Sequence, residues 1–182
     1  IYVYSDLGSF YRVSKQACEK LIEEYNKQFS INYTILRYGS VYGPRSNNFN
    51  FIRKMIQQAL DHKRIERKGN GEEIREYIHV EDAAKLSMTA LDKQYNNKHV
   101  IISGNQSMKI KDLLKMVKEM FENEIDVLYS SELDSYHYSI TPYNYRPKIA
   151  TKIVSESYYD LGQGIMDLIY DLDKERLSKI KS

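Results

Sequence analysis

The chain has 182 residues, 42% hydrophobic and 29% charged, with a formal net charge of +2. That length supports one domain with a real core or slightly more, and so small a charge gives no field-based case for nucleic acid. A single cysteine excludes an internal disulfide and a cysteine-based zinc cluster, and no run reaches the ~18 apolar residues of a membrane span.

No signal-peptide pattern opens the sequence, so cytoplasmic residence without membrane or nucleic-acid partners is expected. The opening "IYVYSDLGSF" carries no initiator methionine and reads as the end of a strand, so the chain is expected to be part of a longer protein.

From residue 11 to about 29 the pattern is helical. Ala17, Cys18, Leu21, Ile22, Tyr25 and Phe29 recur at three- and four-residue steps and predict one buried apolar face, with Cys18 an inert thiol within it. Residues 33–37 read as a strand that runs into a Gly/Pro loop, "YGSVYGPR", and 50–62 as a second helix. "RIERKGNGEEIREYIHV" reads as a hairpin turning at Gly69-Asn70-Gly71. A helix over 81–94, the strand "HVIIS", a helix over 109–121 and the strand "IDVLY" follow. Residues 130–147 read as ordered loop, and 163–180 as a final helix. The alternation of helices and strands predicts α/β, with α+β material packed onto it later in the chain.

Tyr11 and Lys15 stand four apart at the start of the first helix, on one face. A tyrosine hydroxyl ordinarily ionises near pH 10, and an adjacent ammonium favours the phenolate, which makes a proton acceptor for an alcohol under oxidation. Spacing alone does not decide this. With 17 tyrosines in the chain, chance supplies about two Tyr-x-x-x-Lys pairs, and Tyr170/Lys174 is the other. His62, His79, His99 and His137 share no metal-ligand spacing and read as structural or exposed.

"YRVSKQACEKL", then "LRYGSVYGP", then "REYIHVEDAA", in that order, resemble the extended short-chain dehydrogenase/reductases, specifically the NAD-dependent nucleotide-sugar epimerases and dehydratases. The closing "ITPYNYRPK" and "YYDLGQGIMDLI" resemble the tails of sugar epimerases in the same group. The resemblance implies that Tyr11 is the catalytic acid/base and that Lys15 is its electrostatic partner, both touching the cofactor. It places Tyr38 beside the nicotinamide and Arg75 on the diphosphate of the sugar nucleotide, with Ser40 and Asn48 as further substrate contacts. The family's asparagine after the strand is Ser40 here, and Glu76 stands for its usual aspartate. Left to itself, Arg75 would pair with Glu73 or Glu76 at the surface, and Asp82 would cap or orient the helix that follows it.

The implied fold is the C-terminal part of a Rossmann-like parallel sheet plus a smaller α+β substrate-binding region. Residues 1–45 would be the remnant of the dinucleotide-binding domain. Residues 46–182 would mainly hold the nucleotide sugar, some segments returning to the Rossmann sheet. A dinucleotide site needs a Gly-rich turn between a strand and a helix N-terminus, and none of the eight glycines forms one. The N-terminal dinucleotide-binding half is therefore expected to be absent, and the chain alone inactive. NAD, or NADP, would serve the parent, an epimerase or else a dehydratase, and a non-catalytic sugar-nucleotide-binding piece is the remaining alternative. The resemblance also implies a homodimer through the helix over 11–29.

Overall fold

A computed structural model describes residues 9–131 and 150–180. The loop reading over 130–147, His137 and the strand reading of the opening residues therefore lie almost wholly outside the described residues. The helices are α1 (Ser9–Phe29), α2 (Phe51–His62), α3 (Val80–Thr89), α4 (Ile110–Met120) and α5 (Leu161–Ile180). The strands are β1 (Thr34–Tyr38), β2 (Ser40–Tyr42), β3 (Arg64–Lys68), β4 (Ile74–His79), β5 (Lys98–Ile102), β6 (Ser107–Lys109), β7 (Asp126–Ser130) and β8 (Ala150–Ile153). They form three small sheets: β1-β5-β8, all parallel; β2-β4-β6, with β2 parallel and β6 antiparallel to β4; and the parallel pair β3-β7. The result is a mixed α/β fold built mainly on parallel pairing.

The main core lies among α2, α4 and α5. Ile52, Met55, Ile56 and Ala59 of α2 meet Leu113, Leu114 and Val117 of α4 and Ile165, Leu168 and Leu172 of α5, closed at the edge by Ile65 and Ile125. Each of the larger aliphatic side chains (Ile, Leu, Val, Met) contributes about 1.5–3 kcal/mol by leaving water. α2 starts where Asn50 Oδ1 accepts from Arg53 N at 3.2 Å, and stops at Lys63 in a left-handed conformation, φ 53°. A second cluster, Ile78, Ala83, Leu86, Val100, Ile102 and Ile153, packs α3 between the sheets of β4 and β5.

The expected hairpin does not form. β3 pairs with β7 (Arg64 opposite Asp126), and β4 pairs with β2 and β6. Gly69 and Gly71 both take positive φ, 81° and 72°, and between them the chain leaves one sheet for the other. Gly69 N donates to Ser130 O, while Gly71 O accepts from Lys111 N at the start of α4. β4 buries residues on both faces, Glu76 and Ile78 on one and His79 on the other, as a central strand does. β3 buries only Ile65 completely and serves as an edge. Burial thus overrides the local turn signal.

α1 is also turned differently from expectation. Its sheet-facing stripe is polar, with Arg12, Gln16, Glu19, Glu23 and Asn26 half-buried. The apolar stripe of Leu21, Ile22, Tyr25 and Phe29 is exposed. Cys18 lies on that outer stripe and is exposed rather than buried.

The helix expected over 81–94 ends earlier, because after Ala90 the chain tightens into i→i+3 turns and a 3-10 turn at Lys93–Tyr95. Its cap is His79, whose Nδ1 accepts from Glu81 N at 3.4 Å, and not Asp82. Asp82 is buried and accepts from Tyr159 N at 2.6 Å, fastening the segment that enters α5. Asp82→Ala leaves that half-buried N–H without its partner and should lower stability by about 1 kcal/mol. An unshifted denaturant midpoint would show that the segment is held by other contacts.

Candidate functional site

Gly39 separates β1 from β2 and packs against β5. A Cβ there would lie 2.8 Å from Ser103 Cβ and 3.2 Å from Glu76 O, so only glycine allows this approach. Beyond it, β2, the start of α2, β3 and β4 enclose a cleft of about 330 Å³. Ser40, Phe49, Arg67, Arg75 and Tyr77 are on its wall.

Two guanidiniums thus face one cleft. Arg75 on β4 donates from Nη1 to Ile74 O at 2.8 Å. The expected surface carboxylates are engaged elsewhere. Glu73 accepts from Arg67 Nη2 at 2.7 Å, and buried Glu76 accepts from Ser103 Oγ at 2.6 Å and Lys152 Nζ at 3.0 Å. The Arg67 guanidinium also lies 5.5 Å from the centre of the Phe51 ring. Burial pushes the Tyr77 hydroxyl up to about 12, so it faces the cleft as a neutral phenol. Planar guanidiniums held this way suit a phosphate or diphosphate, which takes two N–H donors from each fork.

Tyr11 and Lys15 come together on α1, with Lys15 Nζ 5.4 Å from the centre of the Tyr11 ring. Both are exposed, Tyr11 by 73%, and neither lines the cleft. Ser14 Oγ donates to Tyr11 O at 2.8 Å and so stays within its own helical turn. Tyr38, at the end of β1, is 40% exposed. Ser87 donates to Ala83 O, so Tyr38 donates to Ser87 Oγ at 2.6 Å. The structure therefore brings Ser40 and Arg75 into one cleft and Tyr11 and Lys15 onto one helix face. Asn48 is exposed in the loop before α2, beside Phe49 but outside the lining.

Arg67 and Tyr77 were not singled out from sequence. The signal for Arg67 is parity, since it lies two residues beyond buried Ile65 on the same side of β3. Among the described residues no group of His, Cys, Asp and Glu could hold a metal ion, and no helix is long and apolar enough to cross a membrane.

Residues 4–103 match the family model described as NAD dependent epimerase/dehydratase family. The chain belongs to that family. Among the relatives of this epimerase/dehydratase chain is an uncharacterized UDP-glucose epimerase of Bacillus subtilis, 26% identical over 124 residues, covering 68% of this chain and 39% of the relative. The fold agrees with the solved epimerase Mth375 of Methanothermobacter thermautotrophicus, with TM-score 0.79 and 16% identity over 98% of this chain and 54% of that one. It agrees also with the UDP-glucuronic acid 4-epimerase of Bacillus cereus, solved with UDP-glucuronic acid and NAD, at TM-score 0.72 and 22% identity over 89% and 52% of the two chains. The epimerase/dehydratase chain thus spans about two fifths of the length of its sequence relatives and about half of these structures.

Proposed function

We propose that this chain is the substrate-binding and acid/base part of an NAD-dependent nucleotide-sugar epimerase, continuing a longer protein that supplies the cofactor-phosphate turn. The observation that carries this reading is the pairing, in one fold, of the Tyr11/Lys15 face with the two-arginine cleft. Residues 9–45 with β5 and β8 would complete a Rossmann-like sheet, and the α2-α4-α5 core with its cleft would hold the sugar nucleotide.

The residues present fit the nicotinamide end of NAD. Tyr11 and Lys15 offer a hydroxyl and an ammonium on an open helix face, and Tyr38 ends the neighbouring strand. NAD, when bound, supplies the hydride acceptor and donor. Tyr11 takes the proton from the sugar hydroxyl during oxidation and returns it on reduction, while Lys15 favours the phenolate and binds the cofactor ribose. Arg75 and Arg67 anchor the diphosphate, with Ser40 and Asn48 at its margin, so that the sugar can present either face without leaving. The exposed Leu21, Ile22, Tyr25 and Phe29 of α1 support pairing of two copies along that helix. A cytoplasmic setting suits such soluble substrates.

Arg75→Ala should weaken binding of a nucleoside diphosphate by about 10- to 100-fold, the worth of a charge-assisted pair of hydrogen bonds. Calorimetry with UDP and GDP reads this directly. Unchanged affinity would return Arg75 to a structural role and remove the cleft from the reading.

A further inference from the structure

We propose that His99 is a positioning residue for α1, its ring bridging Arg37 and Glu23 and so fixing the helix that carries Tyr11 and Lys15 to the sheet. The inference rests on the proposed role of that pair. α1 turns a polar stripe toward β1 and β5, so hydrogen bonds rather than apolar packing hold it among the described residues. Glu19 grips Arg37 of β1 with both oxygens, at 2.7 Å and 2.6 Å. One turn later Glu23 Oε1 meets His99 Nε2 of β5 at 2.9 Å. Asn26 Nδ2 completes the row on Asn97 Oδ1 at 3.1 Å.

His99 joins the first two attachments. It is 6% exposed, and its Nδ1 lies 3.1 Å from Arg37 Nη2. A guanidinium only donates, so Nδ1 must accept and the ring proton must sit on Nε2, where it is donated to Glu23. The neutral Nε2–H form therefore satisfies both neighbours. A second proton on Nδ1 places N–H against N–H, and the Arg37 contact is lost. The nearest acceptor is then Glu19 Oε2, 3.8 Å away, the oxygen that Arg37 already uses.

The other cations nearby are turned onto carboxylates. Lys20 on α1 binds the second oxygen of Glu23 at 2.6 Å and, with burial opposing it and His99 assisting, holds that carboxyl below the usual range. Lys152 on β8 is turned onto Glu76 at 3.0 Å, and Tyr33 presents only a ring edge, 6.4 Å between centres. Removing the ring's two bonds should therefore loosen α1 while the α2-α4-α5 core stays closed.

The test is amide hydrogen exchange in the intact protein without substrate, at pH 7.5. His99→Leu should lose protection in α1 by about 10-fold relative to the wild type, with α2 and α4 unchanged. His99→Gln, whose amide can still donate to Glu23, should restore that protection. Turnover should follow, with kcat about 10-fold lower in His99→Leu and KM within twofold.

Equal protection of α1 in wild type and His99→Leu would overturn the proposal. So would identical behaviour of the Leu and Gln variants, or loss spread evenly into α2 and α4. If His99→Leu does not fold, Glu23→Ala removes the same bond from the helix side and carries the same expectation. Exchange is measured without catalysis, so failure of the enzymatic reading and failure of the clasp are separable outcomes.

Discussion

Tyr11→Phe in the intact protein should lower kcat by about 10²- to 10⁴-fold while leaving sugar-nucleotide affinity within about twofold. The substitution removes one oxygen from an exposed ring and disturbs no packing, since the Tyr11 side chain is 73% exposed. General acid/base catalysis accounts for rate factors of that size, and the hydroxyl is the proposed proton carrier. Binding should survive because the cleft of Ser40, Arg67 and Arg75 does not include Tyr11. A split of this kind, with kcat lost and affinity kept, marks an interaction made only in the transition state. Turnover near the wild-type value would reject Tyr11 as the acid/base.

Gly104→Ala should be the most damaging single methyl in the described fold. A Cβ at Gly104 would stand 1.9 Å from Tyr77 O and 2.9 Å from its carbonyl carbon, so backbone and not a flexible side chain must move. Gly104 follows β5 and crosses behind β4, and its own carbonyl accepts from Lys152 Nζ at 2.8 Å. The displacement therefore reaches both sheets and the strand that carries Arg75. We expect a loss of more than about 3 kcal/mol, or no folded protein, read by chemical denaturation. A variant within 1 kcal/mol of wild type would mean that the β4–β5 junction is far more compliant than close packing allows.

The elements most legible in the sequence were those whose local pattern and burial agree. α2, α4 and α5 lie within two residues of their expected limits because Ile52, Met55, Ile56 and Ala59, or Leu113, Leu114 and Val117, form one inward stripe. α1 has an equally clear stripe, yet it faces outward, because Glu19 and Glu23 find partners on β1 and β5, and Asn26 on Asn97 just before β5. Periodicity shows that a helix has an apolar face and says nothing of what covers it. The short strands β2 and β6 have three residues each, too few for alternation to show.

Of the candidate site residues, Ser40 and Arg75 meet in one cleft and Tyr11 and Lys15 share one helix face, whereas Asn48 stands outside the cleft lining. Arg67 escaped because its segment reads locally as half of a hairpin. Asp82 was assigned to its own helix because an acidic residue at a helix start looks like a cap, whereas its partner is Tyr159 N, far along the chain.

The missing hairpin also bears on how this chain reaches its fold. No described strand pairs with its sequence neighbour: β1 finds β5, β2 finds β4, β3 finds β7, β4 finds β6 and β5 finds β8. Every ladder must close a long loop before its first hydrogen bond forms, and parallel pairs such as Thr34 with Lys98 close some of the longest. Helices can form early and locally, but the sheets must wait for the α2-α4-α5 core to bring distant segments together. Refolding should thus be slow for a chain of this size, in the millisecond-to-second range of high-contact-order proteins, with the strand edges of β1 and β3 exposed in the interval.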